Sequence, residues 1–240
     1  MPLPFYLAMT GAEVAFTDSL PEKLAWMACH FSCYGTGLSN IPRQLPEGTL
    51  VILNDRTPIC GHDPEWITRQ LAQLTNTFSC SGILLDFQRP GVEETAVLCA
   101  HLTKALPCPV GVTEFYAKEL DCPVFLSSLP PGMTLEAHIQ PWVGRELWLE
   151  SVTDIRIAVI TDSGCQWQDS GYPYTESAWF EAPSLHCRYC WCADARQAVF
   201  TLQRTAEHIP SLLEEAQRLG ITHAIGLYQQ INTDSTPFGR

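Results

Sequence analysis

The sequence predicts an α/β protein, a TIM-like (β/α)8 barrel whose second half is irregular and carries a β-hairpin-rich insertion. Short apolar runs recur along the chain as LAWMACHF, GTLVILND, GILLDF, PVGVTEFY, CPVFLSS, RELWLE and THAIGLYQQ. Amphipathic helical segments precede several of them, the alternation expected of a parallel sheet covered by helices. About seven or eight such strands in a chain of 240 residues suit a closed barrel better than an open sheet.

LAWMACHF and GTLVILND come first, continuous enough in apolar residues to be buried on both faces. The helix DPEWITRQLAQLTNTF follows, with Asp63 as cap, Pro64 at the first helical position, and Ile67, Leu71, Leu74 and Phe78 on one face. It leads into GILLDF. In VEETAVLCAHLTKAL, Glu93 and Glu94 sit in the first turn, where the helix dipole favours them, and Leu98, Leu102 and Leu106 share a face until Pro107 stops the helix. The runs PVGVTEFY, CPVFLSS and RELWLE continue the barrel. Between Arg145 and Arg204 helical periodicity disappears: RELWLE, DIRIAVITDSG, LHCRYCWC and QAVFTLQRT succeed one another, with turns such as SVTD and ADAR that mark antiparallel hairpins. This is the predicted insertion, residues 145–204. PSLLEEAQRLG, opened by Pro210 and closed by Gly220, is the last helix before THAIGLYQQ. Residues 1–230 read as a single barrel domain and 231–240 as a tail.

With 46% hydrophobic and 17% charged residues, the chain can bury a large core. A net charge of -12 without any Lys/Arg cluster repels phosphate, so neither nucleic acid nor an anionic membrane surface is an expected partner. The N-terminus has no basic region of the signal-peptide kind, and nowhere do about 18 apolar residues run together. A cytoplasmic location is expected. The 11 cysteines are odd in number and lie in apolar segments, which favours buried reduced thiols over a disulfide framework.

Residues at the C-terminal ends of barrel strands face the ligand side. The polar set there is His30 and Tyr34, then Asn54, Asp55 and Arg56, then Asp86, Gln88 and Arg89, then Glu114 and Tyr116, Ser127 and Ser128, Trp148 and Glu150, and finally Tyr228, Gln229 and Gln230. Strand parity puts Asp86 with Gln88, Glu114 with Tyr116, and Trp148 with Glu150 on common faces. Carboxylates flanked by aromatic rings suit a sugar: acids supply general acid, base or nucleophile, and rings cover the apolar face of a pyranose. The reading is a small carbohydrate or glycoconjugate ligand, with Asp86 and Glu114 as catalytic candidates and Asp55, Gln88, Arg89, Tyr116, Trp148, Glu150, Tyr228 and Gln230 as substrate contacts. If catalytic, carboxyls about 5 Å apart retain anomeric configuration and those about 6.5–9.5 Å apart invert it.

The stretch SGILLDFQ resembles the DGIDLDFE signature of family 18 glycoside hydrolases, the chitinase-like TIM barrels. In that family the final glutamate protonates the glycosidic oxygen, and the aspartate two residues earlier orients the substrate N-acetyl group. The resemblance matches Asp86 to that aspartate and Gln88 to the acid, with Ser81 and Leu84 in place of the two earlier aspartates. An amide cannot donate a proton as a carboxylic acid does. The resemblance therefore implies either a binding site or one served by another acid, Glu114 first, then Asp55 and Glu150. The alternative is a catalytically inactive barrel acting as a protein-binding scaffold.

HCRYCWC offers His186, Cys187, Cys190 and Cys192, with Cys29, His30, Cys33, Cys60 and His62 elsewhere, but no second knuckle of zinc-site spacing accompanies it. No metal and no cofactor is expected. CQWQDSGYPYTESAWFEAP, residues 165–183, carries Trp167, Tyr172, Tyr174, Trp179 and Phe180, an aromatic loop through which copies of the chain could associate.

Overall fold

The computed structural model of the chain describes residues 2–33, 37–57, 61, 63–168 and 177–231. Tyr34, Cys60, His62, Tyr172, Tyr174 and the tail beyond Ile231 lie outside the described residues. Two compact units are formed. One comprises residues 1–127, 144–150 and 221–240, the other residues 128–143 and 151–220.

The first unit is a closed barrel. Its strands are β1 (Phe5–Met9), β2 (Leu24–Phe31), β4 (Leu50–Asn54), β5 (Gly82–Asp86), β6 (Val110–Thr113), β7 (Val124–Leu126), β8 (Leu147–Glu150) and β14 (His223–Leu227). Each pairs in parallel with its neighbours, and β1 closes the ring by pairing with both β2 and β14. The short β3 (Leu38–Ser39) adds antiparallel to the end of β2. The eighth strand, β1, arises from the N-terminal FYLAM, which the sequence shows only as an apolar patch.

Alternation along the strands fills the interior. Tyr6, Ala8, Ala25, Leu50, Ile52, Leu84, Phe125, Trp148 and Ile225 form one buried cluster. Trp148 closes its lower part: it is 1% exposed, its ring lies 4.8 Å from that of His223, and its Nε1 donates to Glu146 Oε1 at 3.0 Å. Gly111 makes room for it. A Cβ on Gly111 would lie 2.5 Å from Trp148 Cε3, and one on Gly82 only 2.9 Å from the Pro109 carbonyl oxygen. The indole is thus a barrel-core residue rather than the ligand platform expected from the sequence, because it stands two residues below the strand end.

Helix α1 (Gly11–Phe16) follows β1 and is held by a capping box: Glu13 N–H donates to Thr10 Oγ1 at 3.3 Å and Thr10 N–H to Glu13 Oε2 at 2.7 Å. In α2 (Pro64–Phe78), Asp63 Oδ1 accepts from Glu65 N–H at 3.0 Å, and Ile67, Leu71 and Leu74 are buried. Helix α3 (Glu93–Ala105) buries Leu98, Cys99 and Leu102. After β14 the chain turns directly into α6 (Tyr228–Ile231).

The second unit contains α4 (Leu135–Ile139), α5 (Ile209–Arg218) and a five-stranded antiparallel sheet. The strands are β9 (Asp154–Thr161), β10 (Gly164–Gln168), β11 (Phe180–Ala182), β12 (Cys187–Ala193) and β13 (Gln197–Arg204), in the order β10-β9-β13-β12-β11. The sheet begins at Asp154, not at 145, since β8 pairs within the barrel in register with β7 and β14. Its own small core is Ala158, Cys187 and Leu202, with Ala182, Leu185, Tyr189 and Phe200 packed against it.

Candidate functional site

Asp86 is the last residue of β5, on the interior parity of Gly82 and Leu84, and is aligned with Asn54 across the ladder to β4. Phe87 is fully buried, so the chain is anchored where it leaves the barrel. Gln88 folds back, and its side-chain amide donates to Asp86 Oδ1. Burial pushes the Asp86 carboxyl above its usual range; the Gln88 hydrogen bond opposes the shift, while the negative charges of Asp55 and Glu114 add to it.

Asp86 and Gln88 line a cleft of about 690 Å³ at the C-terminal end of the strands. Its walls include Thr10 and Gly11 after β1, Trp26, Met27 and His30 of β2, Asn40, Ile41 and Pro42 after β3, and Asn54, Asp55 and Arg56 at the end of β4. Trp26 Nε1 donates to the Asn40 carbonyl at 3.2 Å, which ties the loop after β3 to β2. Asn40 Nδ2 lies 3.5 Å from His30 Nδ1, and that nitrogen lies 3.0 Å from the Ala28 carbonyl. A smaller cavity of about 50 Å³ reaches into the barrel and brings Glu150 and Asp86 to one space with Asn54, Leu84 and Phe125.

The other expected site residues divide by role. Asp55 is 8% exposed and its Oδ2 accepts from the Arg89 N–H at 3.1 Å, so it braces the loop after β5. Tyr116, also 8% exposed, braces the same loop: its hydroxyl donates to the Arg89 carbonyl and accepts from Val92 N–H at 3.3 Å. Glu114 receives two hydrogen bonds from Ser127, from N–H at 3.1 Å and from Oγ at 3.0 Å. The exposed Arg89 places Nη2 3.5 Å from the Arg56 carbonyl. Tyr228 and Gln230 belong to α6, where the Tyr228 hydroxyl lies 3.4 Å from Thr17 Oγ1.

Thr10, Trp26 and Asn40 are cleft residues that strand-end reasoning missed. The Thr10-x-x-Glu13 spacing is a capping-box signature that marks α1 and, with it, the strand ending at Met9. In β12, Cys190 and Cys192 share one face of the strand and Cys187 lies on the other. Among the described residues no three His, Cys, Asp or Glu side chains converge as a metal-binding group.

A scan of protein-family models finds no match to this sequence, and a search of curated proteins finds none. Solved structures do match. A family 18 N-acetylglucosaminidase from Paenibacillus barengoltzii superposes with a TM-score of 0.60 at 8% identity, over 95% of this chain and 97% of that one. A family 18 chitinase from Cycas revoluta, carrying a glutamate-to-glutamine substitution and solved with (GlcNAc)4, gives 0.57 at 10% identity over 96% of both chains. The spore cortex-lytic enzyme SleL of Bacillus cereus gives 0.57 at 9% identity, over 95% of this chain and 71% of that one. The fold is therefore that of the chitinase-like (β/α)8 barrels. The likeness suggested by SGILLDFQ holds at the level of architecture.

Proposed function

We propose that this barrel recognises a small saccharide in the cleft at the C-terminal end of its strands and that Gln88 leaves it without the proton donor used by chitinase-like enzymes. One observation carries the reading: at the floor of the cleft the Gln88 amide, not a carboxylic acid, is hydrogen-bonded to Asp86. The amide orients Asp86 as an acceptor but has no proton to give to a leaving group. Mixed polar and apolar walls, with Trp26 and Met27 beside Thr10, His30 and Asn54, suit a ligand with both hydroxyls and apolar ring faces. The (GlcNAc)4 complex of the Cycas revoluta barrel makes N-acetylglucosamine oligosaccharides the first ligands to try.

Glu114 is the carboxylate that would take over as acid if the protein turns over its ligand, with Glu150 behind it. The test is a reducing-end assay on N-acetylglucosamine oligomers with wild type and Glu114→Gln. Binding without release of product supports recognition alone; release abolished in Glu114→Gln replaces it with hydrolysis.

A second reading rests on the second unit. Trp167 and Trp191, each 43% exposed, flank the core residues Ala158 and Phe200 at the two ends of one cross-strand row. Such a row suits a protein contact, including one between copies of this chain. Light scattering of Trp167→Ala with Trp191→Ala checks it: a wild-type dimer that becomes monomeric favours the scaffold, and monomers throughout remove self-association.

A further inference from the structure

The cleft at the barrel mouth has two unlike walls. Where β4 and β5 end, it is lined by Asn54, Asp55, Arg56, Asp86 and Gln88, every one polar. Amides, carboxyls and a guanidinium there offer donors and acceptors to hydroxyl groups. The other side, built from β2 and the segments that follow β1 and β3, is mainly apolar, with Ala12, Trp26, Met27, Ala28, Ile41 and Pro42 in its lining. Two of its polar members are engaged locally: Thr10 Oγ1 donates to Glu13 Oε2 at 2.9 Å, and His30 Nδ1 lies 3.0 Å from the Ala28 carbonyl.

One indole joins the apolar segments. Trp26 is 8% exposed; its Nε1 donates to the Asn40 carbonyl at 3.2 Å, and its Cη2 lies 3.2 Å from where a Cβ on Gly11 would stand. The glycine lets α1 close on the ring edge, so the segments bearing Ala12 and Ile41 meet on the same buried side chain. The apolar surface does not stop at the rim. Helix α1 buries none of its residues. Ala12, Ala15 and Phe16 stand at i, i+3 and i+4, the spacing of one helix face, and all three are exposed, Phe16 at 85%. Ile41 is 40% exposed. An apolar strip therefore leads from the cleft along one turn of α1, about 5.4 Å. A bare saccharide leaves this strip in water, whereas a saccharide carrying an apolar group covers it.

We infer that the cleft takes a glycoside with an apolar aglycone, its sugar against the ends of β4 and β5 and its aglycone over Ala12, Ile41 and Phe16. The inference rests on the saccharide reading of the cleft and specifies the class: alkyl or aryl glycosides in preference to free sugars.

Calorimetry with the methyl, butyl and hexyl thioglycosides of N-acetylglucosamine tests it, the sulfur linkage resisting hydrolysis. Affinity should rise about threefold with each buried methylene, giving the butyl compound an advantage of about tenfold or more over the methyl one. Ile41→Ser and Phe16→Ser should each shrink the hexyl-to-methyl affinity ratio by about threefold or more. If Ile41→Ser fails to fold, Ala12→Asp should do the same, since it sets a charge in the apolar wall at a first-turn position that the helix dipole favours. Methyl binding with no gain from butyl or hexyl would overturn the aglycone wall and leave the saccharide reading standing. No binding of any of the three to folded protein would remove both. A wild-type dimer in sedimentation that Phe16→Ser splits would assign the α1 face to a second copy of the chain and overturn the inference as well.

Discussion

Asp86 is a residue at which the fold and the proposed site pull in opposite directions. Its carboxyl titrates higher folded than unfolded, chiefly because it is buried. Its contribution to stability is therefore complete below the unfolded value of about 3.9 and is lost as pH rises through the folded value. Asp86→Asn keeps an oxygen for Gln88 and removes the charge. The variant should be more stable than wild type at pH 7, and the gain should vanish below about pH 4; thermal melts across pH 3–8 check both. A gain that grew toward low pH would contradict the assignment. Glu114 is read differently, because Ser127 meets it with two donors. Glu114→Ala should cost about 1–3 kcal/mol by leaving those donors unpaired, measured by urea unfolding. At this scale the sequence was informative in part. Asp86, Asn54 and Gln88, named from the sequence as strand-end residues, line one cleft because strand ends in a parallel barrel converge. Asp55 and Tyr116 stand at strand ends too, yet they hold the loop after β5, and only hydrogen-bond partners reveal that. Trp148 was assigned to the mouth on correct parity but wrong depth, a distinction that depends on register.

At the scale of elements, the barrel floor is a fitted set: the Trp148 indole occupies space that Gly111 leaves open. Gly111→Ala would drive a methyl into the indole, 2.5 Å from Cε3. Overpacking of this kind costs about 1–3 kcal/mol, so the urea midpoint should fall while ligand affinity at the mouth stays unchanged. Helix α2 offers a milder test. Asp63→Ala removes the cap that accepts from Glu65 and should cost about 1 kcal/mol, read from the same unfolding curves. The N-cap of α2 and the apolar faces of α2 and α3 were legible because helix periodicity and capping are local. Strand β1 was not, as five residues between Pro4 and Thr10 give too short a pattern to separate from an apolar N-terminus. The Thr10–Glu13 capping box was the available signal.

For the whole molecule, alternating strands and helices in the first half predicted a barrel, and the loss of helical periodicity after Arg145 predicted a hairpin-rich insertion. Both architectures are present. Where the antiparallel sheet begins differs from the expected start at 145 by about nine residues, because no helical pattern separates β8 from the hairpin strands and only its parallel pairing assigns it to the barrel. At 8–10% identity, the solved chitinase-like barrels share with this chain a fold rather than a sequence. At the barrel mouth lies a cleft in which Gln88 is hydrogen-bonded to Asp86. The most direct measurement is a calorimetric titration of (GlcNAc)4 and its shorter homologues into wild type and Asp86→Ala. Saturable binding to wild type, weakened at least tenfold in a folded Asp86→Ala, is the predicted result. No heat from any saccharide with folded wild type, or equal affinity in the two proteins, would contradict a saccharide site built on Asp86.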